Sequence, residues 1–512
     1  VTRVLFGQSY YLRFDPKLWE AMQPYPPLGT LYAASYLRER GFDVALFDAM
    51  LAESEAEWDA ALARERPDYA VIYEDNFNYL SKMCLLRMRE AAFTMIDMAV
   101  ARGCPVIVAG SDASDHYHQY LDRGASFALI GEGEATLAEL LDALAGRSDA
   151  GLGDLLGLAW QEAGEVRVNQ RRPDLRDLDA LPFPAWDLVD LDRYRAVWYE
   201  RHGYYSMNMV TTRGCPFHCN WCAKPIWGQR YNTRSPENVV AELSWLAERY
   251  HPDHIWFVDD IMGLKPGWME RFGDLVAERG LRLPFKCLNR VDLLLRGNTI
   301  PSLARAGADI VWVGAESGSQ KVLDAMEKGT KVEQIYEASR RLHEAGVRVG
   351  FFLQFGYPGE EREDIERTLR MVRDCRPDDI GMSVSYPLPG TRFHDSVRDQ
   401  LGVQQNWLDS NDLAMLYQGP FSTDFYRQLH RVLHKEFRRM RYRDELARVA
   451  FRPGRWRRRH ARQLAGVAAH TVTLPLEHRA LDRLERAPHR GLTTVPLRVV
   501  GDASVPSPQA DR

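Results

Sequence analysis

Two successive series of short apolar runs, each run followed by a stretch of helical length, limit what this 512-residue chain can fold into. In the first 145 or so residues the runs are RVLFG (3–7), DVALFDA (43–49), YAVIYED (69–75), PVIVAG (105–110) and FALIGEGE (127–134). Helical stretches 28–40, 55–66, 85–102 and 135–145 lie between and after them. Runs of this length, apolar through their centres, read as parallel strands covered on both faces. Five of them give an open, doubly wound, Rossmann-like α/β sheet.

The second series begins at Met207 with NMVTTR, HIWFVDD, FKCLNRV, DIVWVGAES, VGFFLQFG and DIGMSVSYP, with helices fitting between them. Six strand–helix units predict a partial (β/α)6 barrel, with functional residues at the C-terminal ends of its strands. The boundaries that follow are a doubly wound domain over 1–148, a linker over 149–205, the barrel over 206–398, a mostly helical basic region over 399–490 and a disordered tail over 491–512. The linker stretch LDALPFPAWDLVDLDRY is rich in Pro, Asp and Leu, and its aromatics are expected to dock it.

Composition narrows the setting. Hydrophobic residues at 45% and charged ones at 27% are those of a soluble globular protein. A formal charge of −5 argues against a wholly nucleic-acid-binding chain, and no specific nucleic-acid partner is expected. Seven scattered cysteines form no secreted disulfide framework. The first residues, VTRVLFGQSYY, lack the pattern of a signal peptide, and no apolar stretch reaches the roughly 18 residues needed to span a bilayer. The expected location is therefore the cytoplasm. Residues 427–463 carry fourteen Arg or Lys against three acids. That patch is compatible with an anionic or phosphorylated substrate or with peripheral contact at a membrane surface, and equally with a solvated helical face.

The C-terminal strand ends of the first domain carry Gly7-Gln8-Ser9, Glu74-Asp75-Asn76, Gly110-Ser111-Asp112 and Gly131-Glu132-Gly133-Glu134. Any one of these glycines turns the chain out of its strand; their recurrence makes a ligand crevice an equal reading. In the barrel, RGCPFHCNWCAK (213–224) sets Cys215, Cys219 and Cys222 in a C-x3-C-x2-C pattern. A Cys3His zinc site using His218 is disfavoured, because all four ligands would fall within eight positions and His218 directly precedes Cys219. Three thiolates on a short loop suit a four-iron cluster better, with one iron left open to a small molecule.

CPFHCNWC resembles the CxxxCx(aromatic)C signature of radical S-adenosylmethionine (SAM) enzymes. FVDD (257–260), NRVDLL (289–294), VGAESGS (313–319), GFFLQFGYPGE (350–360) and SYPLPGT (385–391) are similar to that superfamily's successive strand ends. PPLGTLYAASYLRERG and LIGEGEAT resemble the cobalamin-binding domain of its cobalamin-dependent subfamily, which includes methyltransferases and the anaerobic magnesium-protoporphyrin monomethyl ester cyclase. The resemblance covers about residues 1–400.

It implies that Cys215, Cys219 and Cys222 hold a 4Fe–4S cluster whose open iron binds SAM, to be cleaved reductively to a 5′-deoxyadenosyl radical. Trp221, Asp259, Asp260, Arg290, Glu316 and Gln354 would then contact SAM, with Tyr386 also at the barrel mouth. Ser9, Glu74, Asn76, Gly110, Ser111, Gly131, Glu132, Gly133 and Glu134 would surround cobalamin. The loop GQSYYLRFDPK has no histidine, and His116 and His118 follow the fourth strand instead, so cobalamin is expected without a protein histidine ligand. Methylation of an unactivated carbon of a small biosynthetic intermediate is the expected reaction, with a non-methylating oxidative cyclisation as the alternative. A flavodoxin or ferredoxin-type electron donor is implied.

Overall fold

The computed structural model describes residues 1–486 except 84, 223, 225, 403–405 and 451–455, so the expected disordered tail over 491–512 lies outside the described residues. The first sheet contains β1 (Arg3–Gly7), β2 (Asp43–Leu46), β3 (Tyr69–Tyr73), β4 (Val106–Ala109), β5 (Phe127–Leu129), β6 (Leu158–Glu162) and β7 (Glu165–Val168), in spatial order β2-β1-β3-β4-β5-β6-β7. β1 to β5 are parallel. The central strands are fully buried, as continuous apolar runs require when helices cover both faces. Strand order reverses between β1 and β3, the place where doubly wound sheets open a crevice at their C-terminal ends.

The sheet does not stop at 148. β6 and β7 extend it antiparallel, so the stretch expected as a linker begins with a hairpin. Its two-residue turn, Ala163-Gly164, takes positive φ at both positions, 52° and 83°. That is the geometry of a primed hairpin turn, and alanine in place of the usual Asn or Gly hides it in the sequence. Farther along, a helix over Leu191–His202, capped by the Asp190 side chain, buries Tyr194 and Trp198. Tyr194 donates to Asp48 at 2.6 Å and Trp198 to the Pro24 carbonyl at 2.8 Å. The segment is thus docked by its aromatics as expected.

The second sheet starts with β8 (Ser206–Met209), then a short antiparallel pair, β9 (Thr212–Arg213) with β10 (Asn232–Thr233), brackets the cysteine loop. β11 (His254–Phe257), β12 (Phe285–Asn289), β13 (Ala308–Glu316), β14 (Arg348–Phe355) and β15 (Asp379–Val384) continue from β8 in chain order, all parallel. This is the curled half-barrel the six apolar runs predict. Alternation along each strand sorts its residues between two faces. Ile255, Phe257, Phe285, Cys287, Val311, Val313, Val349 and Phe351 are buried in the main core. Trp256, Lys286, Leu288, Trp312 and Phe352, of the opposite parity, keep partial exposure in mid-sheet. Helices Thr423–Val449 and Arg458–Glu485 pair with each other in the basic region. Among the described residues no helix is long and apolar enough to cross a membrane.

Candidate active site

The cysteine loop leaves β9 at Gly214, whose φ is +82° and where a Cβ would lie 2.4 Å from the Arg230 carbonyl oxygen. Only glycine fits such a turn without moving backbone. Cys215 and Cys219 are buried and Cys222 half-buried, while His218 is exposed and falls away as a ligand. Among the described residues no three Cys, His, Asp or Glu side chains converge on one metal ion. A four-iron cluster asks for something different, one thiolate at each of three separate corners.

The donor set fits such a cluster. Burial raises the Cys215 thiol above its ordinary range and pushes Cys222 up to about 12, with the neighbouring thiols adding to it and Lys224 opposing. A thiol harder to ionise gives up its proton when a cationic centre stabilises the anion, as the irons of a cluster would here. Asn220, not flagged by the motif, fixes the loop. Its side chain donates to the Ala325 carbonyl at 2.8 Å and accepts from the Tyr357 hydroxyl at 3.0 Å. Its backbone bonds Met326 and Phe393.

Arg290 follows β12 and is buried beneath the loop. Its guanidinium lies 3.7 Å from the Phe217 ring centroid, donates to Asp292 at 2.9 Å and to the Lys328 carbonyl at 2.9 Å, and points one nitrogen at Cys219 Sγ at 3.7 Å. It props the loop rather than offering a free fork to a carboxylate. Glu316 ends β13 at a bulge and takes a φ of +56°, a strained conformation for a residue with a Cβ. Its carboxylate accepts from Lys328 Nζ at 2.8 Å, and both groups are buried. Burial alone would lower the Lys328 ammonium's pKa, but Glu316 outweighs it and the group is held above its usual range. Lys328 also stands 5.7 Å from the Trp221 ring. It has no local sequence signature.

Gly314 makes room for this pair. A Cβ there would lie 2.4 Å from Glu316 Oε1 and 2.6 Å from Lys328 Nζ. Gly314→Ala is therefore expected to push the ion pair off β13 and to cost about 1–3 kcal/mol as an overpacked core site. Denaturant unfolding of the variant checks this.

The two aspartates after β11 stand apart from the expected role. Asp259 is buried, and its Oδ1 accepts from Thr211 N at 2.8 Å, Thr211 Oγ1 at 3.1 Å and Thr212 Oγ1 at 2.7 Å. It ties the ends of β8 and β11 together beneath the cysteine loop. Asp260 instead pairs with Lys82 of the first domain at 2.8 Å. Gln354 donates to Ser385 at 3.0 Å. Tyr386 bonds Asn406, the Trp407 amide and the Met83 carbonyl, a structural tie between regions.

Burial raises Asp259 from its ordinary range to about 6. A carboxyl harder to ionise folded than unfolded stabilises the fold fully below about pH 4, and that contribution is lost as pH rises through 6. The shift of roughly two units corresponds to about 3 kcal/mol. Asp259→Asn keeps the oxygen that accepts three hydrogen bonds and removes the titration. Its unfolding free energy is expected to fall less steeply than the parent's between pH 4 and 6, as chemical denaturation across that range will measure.

In the first domain, Glu74 and Ser9 meet across the β1/β3 opening, where the Ser9 amide donates to Glu74 at 3.0 Å. Burial pushes Glu74 up to about 8. Gly110 lies so close to Glu74 that a Cβ would stand 2.6 Å from its side chain. Asn76 Oδ1 and Ser9 Oγ are buried without a protein hydrogen-bond partner, so the crevice keeps unspent polar atoms. Ser111 is spent on the Ser81 carbonyl. Half-buried His116 stands 3.8 Å from Asp112, and His118 is exposed.

The GEGE turn, expected to help surround cobalamin, spends its two carboxylates on the chain itself. Glu132 and Glu134 both grip Arg213, the last at 2.7 Å. Trp227 adds a hydrogen bond to Glu132 at 3.1 Å. Gly131 faces Arg171 and Gly133 the Tyr73 ring. Arg213 immediately precedes Gly214 and Cys215, so the turn clamps the cysteine loop to the C-terminal edge of the first sheet. Sequence reading missed Arg213, which lies about 80 residues from its partners.

Residues 209–372 match the family model of the Radical SAM superfamily. An uncharacterized methyltransferase of Pyrococcus horikoshii is 29% identical over 388 residues, covering 75% of this chain and 81% of the relative. The anaerobic magnesium-protoporphyrin IX monomethyl ester cyclase of Cereibacter sphaeroides is 26% identical over 388 residues, 74% of this chain and 61% of the relative. The chain thus spans about three fifths of that enzyme's length. Among solved structures, the radical SAM methyltransferase TsrM of Kitasatospora setae, with cobalamin and a [4Fe–4S] cluster bound, superposes with a TM-score of 0.62 at 20% identity, over 78% of each chain. That likeness is one of fold.

Proposed function

We propose that this chain, whose residues 209–372 form a radical SAM domain, is a cobalamin-dependent radical SAM methyltransferase acting on a small biosynthetic intermediate. The observation that carries the reading is the Arg213 clamp, which fastens a three-cysteine loop of the half-barrel to the turn after β5, at the C-terminal edge of a doubly wound sheet. One chain thereby brings a cluster loop and a ligand crevice of the cobalamin-domain kind against each other.

Cys215, Cys219 and Cys222 would hold the 4Fe–4S cluster, and the crevice around Ser9, Glu74, Asn76 and Gly110 would receive cobalamin. Bound together with SAM, these groups supply one-electron cleavage of the sulfonium and a transferable methyl. The residues of this chain then hold geometry and exclude water. Arg290 and Asn220 fix the loop from below and from the side. Lys328 holds Glu316 in place at the end of β13, where it would accept from ribose hydroxyls. Trp221 sets an aromatic face beside the third cysteine. A small iron–sulfur or flavin protein would deliver the electron.

The cyclase among the relatives leaves a second reading in which the same groups perform an oxidative cyclisation without methylation. SAM labelled with deuterium in its methyl group separates the two. After anaerobic reconstitution with iron, sulfide and hydroxocobalamin, incubation with the small-molecule fraction of the source cells is expected to yield a product bearing the intact labelled methyl. An unlabelled product would transfer support to the cyclisation.

A further inference from the structure

We propose that the lumen of the half-barrel binds a flat apolar acid, its body lying on Trp312 and Phe352 and its carboxylate held by Lys286. The inference rests on the reading above and names the class of molecule that site would take.

The register places Lys286 beside Trp256 across β12 and β11, and Trp312, Gly350 and Asp379 in one row across β13 to β15. All lie on the face opposite the helix-covered core. Phe352 is 38% exposed in the middle of a strand, which a packed barrel core does not permit. The rings of Trp312 and Phe352 stand 4.7 Å apart. Glycines let them lie against the sheet. A Cβ on Gly350 would lie 2.5 Å from the Trp312 ring, and one on Gly381 would meet Phe352 at 3.4 Å and Trp312 at 3.6 Å. Side chains at those two positions would lift the rings into the lumen; without them the rings form a floor and leave space above.

Beside that floor stands a cation. Lys286 Nζ is 4.0 Å from the Trp256 ring centroid and 5.2 Å from that of Tyr25, a residue of the first domain. Cation–π contact orients an ammonium but leaves its hydrogen-bond donors unused. Among the described residues, no carboxylate lies within ion-pair distance of Lys286. Burial lowers its pKa to about 8, with Asp379 opposing from beyond contact. His254, on the same face, bonds Ser206 at 2.8 Å and is held neutral near 4, by burial first and Lys286 second. Arg348, farther along the row, is occupied by Asp309. A half-buried ammonium with spare donors next to an aromatic floor is complementary to a carboxylate on an apolar body. Asp379 also borders a surface pocket walled by Arg431 and Arg438 beside His430 and His434, which burial holds neutral, so an acid approaching from that side meets two guanidinium groups.

Quenching of tryptophan fluorescence by pyrenebutyrate, compared with the neutral alcohol pyrenebutanol, tests the site on the reconstituted protein without turnover. The acid is expected to bind about tenfold more tightly than the alcohol, the margin of one partly buried charge-assisted contact. Lys286→Met is expected to abolish that preference while leaving alcohol binding unchanged, and Gly381→Leu to weaken both probes by about tenfold or more through displaced rings. Equal binding of acid and alcohol to the parent protein overturns the proposal even if neither variant folds, as does a preference that survives in a folded Lys286→Met. Release of 5′-deoxyadenosine from SAM, measured on the same samples, reports separately on the function proposed above. Its loss in the parent protein with probe binding intact would fault that reading and not this site.

Discussion

Cys219→Ser is expected to leave both sheets folded and to abolish SAM cleavage by a factor of roughly a thousand or more, because the proposed radical chemistry runs through the cluster this loop would hold. Cys219 lies mid-loop, buried beneath the surface that exposes His218, and is the sulfur toward which Arg290 directs a nitrogen. A hydroxyl in its place cannot act as a soft thiolate for iron. The content of roughly four irons per chain expected for a cubane should fall well below that, and the cluster's visible absorption should disappear with it. The structural cost is small, about 1 kcal/mol, since the loop is fixed by Asn220 and Gly214 rather than by the thiol. Iron and sulfide analysis, circular dichroism and 5′-deoxyadenosine release on one preparation distinguish a lost cluster from a lost fold. Wild-type iron content in this variant would remove Cys219 from the ligand set.

The second large effect is expected at Arg213. Its guanidinium is buried with Glu132 and Glu134, themselves buried, between the two sheets. Removing one partner from such a cluster leaves charge with no counter-ion in a low-dielectric place, and Arg213→Met is expected to cost about 3–5 kcal/mol. The loss exceeds anything expected from the exposed ion pairs scattered over the surface. A Glu132→Gln, Glu134→Gln protein removes most of the orphaned charge, so adding Arg213→Met to that background should cost much less. Because Arg213 stands two residues before Cys215, the folded fraction of the single variant should also bind cobalamin and cleave SAM with the two activities uncoupled. Urea unfolding of the four proteins, with cobalt content after desalting, measures both consequences.

Much of this architecture was legible because its signals are local. RVLFG after its arginine, YAVIY and VIVA are apolar runs that read as buried strands, and DIVWVGAE and VGFFLQF followed by amphipathic helices read as barrel units. The three cysteines declared themselves by spacing. What escaped was long-range or masked by atypical residues. The β6–β7 hairpin hid behind an Ala-Gly turn. Lys328 sits in a loop twelve positions from Glu316, and no local pattern says that their side chains meet. Asp259, Asp260, Glu132 and Glu134 were legible as strand-end carboxylates, but strand ends are also where two domains touch. In the fold all four answer donors of the chain itself: Thr211 and Thr212, Lys82, and Arg213. A single sequence does not reveal which partner a buried carboxylate will find.

The coupling of radical SAM cleavage to methyl transfer through cobalamin within one chain is the central proposal. It is tested most directly by quantifying S-adenosylhomocysteine and 5′-deoxyadenosine released from SAM by the anaerobically reconstituted, cobalamin-loaded protein under a strong reductant. Methyl transfer produces the first and radical cleavage the second, and both are predicted, each lost with Cys219→Ser or with omission of cobalamin for S-adenosylhomocysteine alone. Release of 5′-deoxyadenosine with no cobalamin-dependent S-adenosylhomocysteine would contradict the methyltransferase, and release of neither would contradict the enzyme.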